Sequence, residues 1–311
     1  MIPQDILFSV VICTLNNITG LEKCARSIAE QTLKPYEIII VHGETGGNIV
    51  ENIFPIFETN NIKCKYINSI KSLVIQRNIG IDNSSGDVVV FLDDDVILKK
   101  DYFYYLFKIY KTKWYDNLGG VQGTIIENKK KYRWTLKEIL KYIFLLGSTD
   151  GDGSLLPSAN ASFCGNTNDV KKVEIFSGCM MSFKKDILIN NRFDTNFSEF
   201  WICDDIELSY RISRKHDLYQ TPFAKLQHVG SSLSYEGHLK IAKMSVFNRL
   251  YIFRLYFSSS KKNWFLFIWS NIGELFFSIY KSIIIGNMGK LIGFLQGWKL
   301  VLLNNGHPYE K

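Results

Sequence analysis

The chain has 311 residues, 46% of them hydrophobic and 22% charged, which excludes a disordered protein and suffices for one large domain or a domain with an appendage. Its six cysteines form no C-x-x-C pair and several lie in apolar runs, which argues against a disulfide scaffold and for free, packed thiols in a reducing compartment. The net charge of +7 is C-terminal: Lys240 to Lys311 holds ten Lys or Arg against two acids, and the remainder carries 27 basic and 28 acidic residues.

The N-terminus has no basic n-region, and the apolar run from Ile6 to Cys13 is too short to span a bilayer, so no cleaved signal peptide is expected. Phe8 to Cys13 reads as a strand, with Thr14-Leu-Asn-Asn as a polar loop after it. Thr19-Gly-Leu-Glu22 has the form of a capping box, and Leu21, Cys24, Ala25, Ile28 and Ala29 recur at helical spacing. Tyr36 to Val41 predicts a second strand, ended by the Gly-rich loop from Gly43 to Gly47. A helix near Asn48 to Phe57 and a short strand near Lys63 to Ile67 follow. Ser72 to Asn83 reads as a helix carrying Arg77 and Asn78. Strands alternating with helices imply an α/β fold with a mostly parallel, right-handed sheet.

Val88 to Leu92 is a continuous apolar run, as expected of a strand buried on both faces, and Asp93, Asp94 and Asp95 follow at its carboxyl end. Open α/β sheets bind ligands at that edge. Adjacent carboxylates raise one another's pKa, so a hard divalent cation, Mg2+ or Mn2+, is the natural occupant; a plain polar turn is the alternative. Tyr102 to Tyr110 predicts a helix and Gly119 to Ile126 a strand. Asp150 to Asp169, rich in Gly, Ser, Asn and Asp, predicts a long loop of the kind that serves as a lid. Val173 to Phe183 predicts a strand with Gly178 in its middle, where a ligand or backbone can come close. Asp204 and Asp205 open a helix, with Glu207 and Arg211 as an i,i+4 pair, and two short strands near Leu218 to Thr221 and Ala224 to Val229 bring His228 downstream.

From residue 236 on, the chain predicts apolar helices over Phe247 to Phe257, Trp264 to Ile285 and Met288 to Leu303. Within the longest, Asn271, Glu274, Ser278, Lys281 and Ser282 recur at three- and four-residue steps as a narrow polar stripe. A narrow polar stripe on an apolar, basic helix describes a helix lying in the plane of an anionic leaflet. An ordinary helical subdomain is the alternative. Gly289, Gly293 and Gly297 recur every fourth residue, which permits close packing on a neighbouring helix, within the chain or in a homo-oligomer. The basic tail is apolar and without an ordered motif, so no nucleic-acid partner is expected. The domain boundary is placed between residues 235 and 236.

In order and spacing, several of these stretches resemble the family-2 nucleotide-sugar glycosyltransferases of the GT-A fold. The matching stretches are Ser9-Val-Val-Ile-Cys-Thr-Leu-Asn-Asn, Glu37-Ile-Ile-Ile-Val41, Gln76-Arg-Asn-Ile-Gly80, Gly86-Asp-Val-Val-Val-Phe-Leu-Asp-Asp-Asp95, Arg192-Phe-Asp194, and Asp204-Asp-Ile-Glu-Leu-Ser-Tyr-Arg211 followed by His228. The resemblance implies that Asp93 and Asp95 are the acids of a D-x-D motif, Asp95 as metal ligand and Asp93 nearer the ribose, with Asp94 between them in the donor site. It implies that Asp205 is the catalytic base, with Asp204 as the alternative member of the pair, and that Arg77 and Thr14 lie at the nucleotide. His228 is implied at the metal or diphosphate. Where the family carries aspartates that read the nucleobase, this chain has Val41-His-Gly-Glu44, so either Glu44 or His42 takes that role or the base is recognised differently. The donor implied is a UDP, dTDP or GDP sugar. The acceptor implied is a glycan or lipid-linked glycan at the cytoplasmic face of a membrane.

The chemistry agrees. Displacing a nucleoside diphosphate builds negative charge that a Lewis acid stabilises, and the acceptor hydroxyl needs a carboxylate within about 2.6 to 3.2 Å to take its proton. Attack opposite the leaving group inverts the anomeric centre in one step. Two other readings are a haloacid-dehalogenase-type phosphatase, whose strand also ends in D-x-D but near the N-terminus, and a non-catalytic nucleotide or sugar-binding module.

Overall fold

The computed structural model describes residues 6–44, 49–113, 116–126, 135–197, 202–230, 235–286 and 288–303. In chain order the elements are β1 (Phe8–Thr14), α1 (Ile18–Ala29), β2 (Glu37–His42), α2 (Ile49–Glu58), β3 (Lys63–Asn68), α3 (Leu73–Asn83), β4 (Val88–Asp93), β5 (Val96–Leu98), α4 (Tyr102–Lys113) and β6 (Leu118–Ile125). Next come α5 (Leu136–Ile143), β7 (Ser148–Gly151), β8 (Ser154–Leu155), β9 (Ala161–Cys164), β10 (Lys171–Val173), β11 (Met181–Lys184), α6 (Lys185–Asn190), α7 (Asp204–Ser213), β12 (Asp217–His228), α8 (Tyr235–Tyr256), α9 (Lys261–Ile285) and α10 (Gly289–Leu303).

The main sheet runs in the order β10-β12-β6-β11-β4-β1-β2-β3, with β5 paired to β12. From β4 to β3 every pairing is parallel, and the apolar runs of β1, β2 and β4 are buried as strands covered on both faces must be. Helices α1, α2 and α3 supply the crossovers. The chain adds β2 and β3 on one side of β1 and then returns to place β4 on the other, so β1 and β4 flank the switch point where such sheets bind ligands. Register brings the strand ends together there: Cys13 lies opposite Asp93, Thr14 opposite His42, and His42 opposite Asn68. Beyond β4 the sheet is mixed, with β11 antiparallel between β4 and β6, and β12 parallel to β6.

Local structure departs from the sequence reading at four places. Helix α1 starts at Ile18 with Asn17 as its cap, whose side chain accepts from the Gly20 amide at 3.1 Å, so the Thr19–Glu22 box lies inside the helix and Glu22 pairs with Arg26 instead. The expected strand from Val173 to Phe183 is split into β10 and β11, and Gly178 sits in the turn before β11. The two strands expected near His228 are one, β12, with a register shift between Gln220 and Lys225. The expected loop from Asp150 to Asp169 contains a small sheet in the order β7-β9-β8, braced by side-chain bonds such as Ser154 Oγ to Asp152 Oδ1 (2.6 Å).

The chain forms two compact units, Met1–Asn128 with Cys164–Gly230, and Lys129–Phe163 with Ser231–Lys311. The second unit therefore begins a few residues before the boundary read from sequence and also takes in α5 and the small sheet. Within it α10 packs on α8 through its glycines: a Cβ at Gly293 would stand 2.2 Å from the Leu239 carbonyl oxygen, and one at Gly297 2.8 Å from that of Lys243. Among the described residues no helix is long and apolar enough to cross a membrane. None of the six cysteines is joined in a disulfide, and burial pushes the Cys13 thiol up to about 12.

Candidate active site

Asp93 is the last residue of β4, and Asp94 and Asp95 form the turn into β5. Because β5 pairs antiparallel with the end of β12, Val96 stands opposite His228, and the imidazole is carried to the turn. His228 Nε2 lies 3.0 Å from Asp95 Oδ1, and one ligand atom each from Asp93, Asp95 and His228 fall within 4.8 Å of one another. Two carboxylates and an imidazole suit a divalent cation, and the nitrogen donor favours Mn2+ over Mg2+, which keeps to oxygen. Burial raises the pKa of Asp93, opposed by the Arg77 charge, while the His228 hydrogen bond lowers that of Asp95 and Asp95 raises that of His228. Asp94 turns the other way: its carboxylate accepts from Thr14 Oγ1 at 2.6 Å and Asn17 Nδ2 at 3.0 Å, tying the loop after β1 to the acidic turn.

The second acidic pair opens α7. Cys203 before it is in the left-handed region (φ 73°), a conformation a non-glycine residue adopts at a cost of about 1–2 kcal/mol. That turn sends the two carboxylates apart. Asp204 is buried and ion-paired with Arg77, whose guanidinium also stands 3.6 Å from Asp93 and donates to the Gly178 carbonyl at 3.3 Å. Asp205 is half-buried. Its Oδ2 accepts from the Gly178 amide at 2.7 Å and its Oδ1 from the Ile206 amide at 2.9 Å. Burial, then the neighbouring Asp204 charge, pushes its carboxyl up to about 6 against Arg77 and the two amides. Gly178 allows this approach, since a Cβ there would meet Arg77 Nη2 at 2.8 Å and Asp205 Oδ2 at 3.2 Å.

At the far side, His42 has both ring nitrogens engaged, Nε2 with the Leu15 carbonyl at 2.5 Å and Nδ1 with the Tyr66 hydroxyl at 2.8 Å. It is a buried brace between loop and strand, which leaves Glu44 as the acid facing outward. Glu44 accepts from Asn16 Nδ2 at 2.6 Å and Lys71 Nζ at 3.1 Å, and these bonds hold its pKa down. Sequence reasoning gave no role to Gln76, Asn16 or Asn17. Gln76 Nε2 donates to the carbonyls of Thr14 (3.1 Å) and Val41 (2.8 Å), clamping the ends of β1 and β2. Its position beside Arg77 on α3 was the available signal. Arg77 is turned into the protein toward Asp204 and Asp93 rather than outward.

The sequence profile described as glycosyl transferase family 2 matches residues 9–190. A Campylobacter jejuni protein named GalNAc(5)-diNAcBac-PP-undecaprenol beta-1,3-glucosyltransferase is 25% identical over 76% of this chain and 73% of its own length. A Bacillus subtilis protein named as an uncharacterized glycosyltransferase is 37% identical over 28% of this chain and 32% of its own. Poly-beta-1,6-N-acetyl-D-glucosamine synthase of Staphylococcus aureus is 24% identical over 65% of this chain, which spans 44% of that relative. A mannosyltransferase from Pyrobaculum calidifontis, solved in complex with GDP-Man and Mn2+, superposes with a TM-score of 0.59 over 97% of this chain and 88% of that one at 13% identity, which is a likeness of fold.

Proposed function

The chain belongs to glycosyl transferase family 2, with the GT-A fold, and from that premise we propose an inverting, divalent-metal-dependent transfer of a sugar from a nucleoside-diphosphate sugar to a hydroxyl of a glycan or lipid-linked glycan. The observation that carries this reading is the Arg77 guanidinium set between Asp93 of the acidic turn and Asp204 beside the half-buried Asp205, which joins a metal-binding edge and a base into one site.

Asp95, Asp93 and His228 would hold Mn2+ or Mg2+, which supplies Lewis-acid stabilisation of the departing diphosphate. Thr14, Asp94 and Glu44 line the nucleotide end, with Glu44 as the acceptor for base or ribose donors. The donor carries UDP, dTDP or GDP, since a carboxylate accepts from the N–H groups of uracil, thymine and guanine alike. Asp205 takes the proton of the acceptor hydroxyl as it attacks the anomeric carbon from the side opposite the leaving group. Its pKa of about 6 leaves it ionised at neutral pH yet basic enough to accept a proton. The acceptor reading draws on the Campylobacter relative, whose name carries a diphospho-undecaprenol, and places the enzyme peripherally at the cytoplasmic face of a membrane.

The test is donor hydrolysis and transfer across UDP, dTDP and GDP sugars with Mn2+, for the native protein and for Asp205→Asn. A fall in kcat of at least about 10²-fold with donor binding retained is expected. Full activity in excess EDTA, or an active Asp205→Asn with an inactive but folded Asp204→Asn, would overturn the assignment.

A further inference from the structure

Helix α9 buries Phe267 and Phe277 yet also turns an apolar stripe outward. Phe265, Ile268, Ile272, Phe276, Ile279 and Ile283 recur along it at three- and four-residue steps, and every one of them is at least 42% exposed, Ile283 77%. The serines, Asn271 and Glu274 of its polar stripe point the other way. Ser270, Ser278 and Ser282 are buried, Asn271 is bonded to Arg249 of α8, and Glu274 pairs with Lys290 of α10 at 3.6 Å. A helix resting on its own protein and facing water shows the opposite arrangement. The polar stripe read from sequence is real, but it faces the neighbouring helices.

Helix α5 has the same character. None of its residues is buried, and Leu136 (73% exposed), Ile139, Tyr142 and Ile143 are open. It ends against α9, where Phe144 stacks on Trp269 at 4.9 Å and the Trp269 indole N–H donates to the Ile143 carbonyl at 2.8 Å. Cations gather beside these faces. The charge of Lys290, then burial, then the charges of Lys137 and Lys141 hold the Lys281 pKa down. The unit carries sixteen Lys or Arg against six Asp or Glu, while the other unit has 21 against 24. A second copy of the chain pressed to this face would bring like charges together, whereas lipid phosphates would neutralise them.

We propose that the exposed faces of α5 and α9 form an in-plane docking surface for an anionic lipid leaflet, the apolar stripe entering the acyl boundary and Lys137 and Lys141 of α5 meeting lipid phosphates. The inference rests on the reading of an acceptor presented at a membrane, and it assigns the contact to α5 as well as to the C-terminal helices. At about 1.5 Å per residue, α9 lying flat extends for roughly 37 Å along the surface.

The test is flotation of the full chain at low salt with phosphatidylcholine vesicles, with and without phosphatidylglycerol, alongside nucleotide-sugar hydrolysis in solution. Flotation is expected only with the anionic vesicles, and the floating fraction should fall at least about fivefold in Leu136→Glu, Ile283→Glu and a Lys137→Glu/Lys141→Glu double variant. Thermal melting and hydrolysis should be unchanged in these variants, since the altered side chains are on the surface. A chain that stays at the bottom of the gradient, that floats equally with phosphatidylcholine alone, or that forms a dimer dissolved by Ile283→Glu would overturn the proposal. Flotation without hydrolysis would support the docking surface while counting against the transferase reading, so the two fail separately.

Discussion

Asp204 and Asp205 are adjacent in sequence and opposite in physics. Asp204 neutralises a buried guanidinium, and replacing it with Asn leaves Arg77 with Asp93 at 3.6 Å as its remaining ion pair. Breaking a buried pair from one side costs about 3 to 5 kcal/mol, so Asp204→Asn should lower Tm sharply and reduce activity through the loss of fold. Asp205 has its pKa raised to about 6 from an ordinary 3.8. The folded state therefore binds that proton more tightly than the unfolded chain, and the contribution to stability is present below the ordinary value and lost as pH rises through about 6. Asp205→Asn removes that charge but turns an NH2 group toward one of the two amides, so it should abolish transfer with little change in Tm at neutral pH, a pairing that thermal melts and initial rates detect together. In the native enzyme kcat/KM should fall as pH drops below about 6.

Two elements show how little space separates these groups from failure. The turn before β11 places the Gly178 amide on Asp205 and its carbonyl on Arg77. A methyl group there would lie 2.8 Å from Arg77 Nη2, so Gly178→Ala should shift the base and lower kcat at least about tenfold with a smaller change in Tm, measured by kinetics beside calorimetry. On α10 the obstacle is main chain. A Cβ at Gly293 would stand 2.2 Å from the Leu239 carbonyl oxygen, and since a backbone atom of α8 cannot swing aside, Gly293→Val should force α8 and α10 apart and lower Tm, with nucleotide-sugar binding to the other unit as the control.

At the scale of the whole chain, the second unit is assembled from two separate segments. Phe144, C-terminal to α5, stacks on Trp269 and on Phe276 at 6.3 Å, and Gly273 lies beneath it. Cutting the chain after about Leu233 removes α8, α9 and α10 but leaves α5 behind with its apolar side chains unpartnered. Such a truncation should aggregate, whereas excising Lys129–Phe163 as well should restore a monodisperse protein, as size-exclusion chromatography would report. The candidate metal site belongs to this scale too, since it draws on the turn after β4 and the end of β12, more than a hundred residues apart. A nucleotide sugar with Mn2+ should raise Tm more than either alone, and Asp95→Asn should remove the difference.

Strand runs such as Val88 to Leu92, the D-x-D triplet and the helical glycines were legible because they depend on local chemistry: side-chain periodicity, charge and the absence of a Cβ act over a few residues, and family 2 membership follows from their order. The sequence also placed Arg77, Asp205 and His228 among the candidates. It was silent on direction. That Arg77 turns inward to Asp204, that His42 has both nitrogens spent on bracing, and that α9 hides its serines and shows its isoleucines are consequences of which neighbours each face meets. A helical stripe read from spacing says that two faces differ. Only the packing of α8 and α10 against one of them decides which face is left for the surroundings, because burial is a property of the assembled helices and periodicity is a property of one.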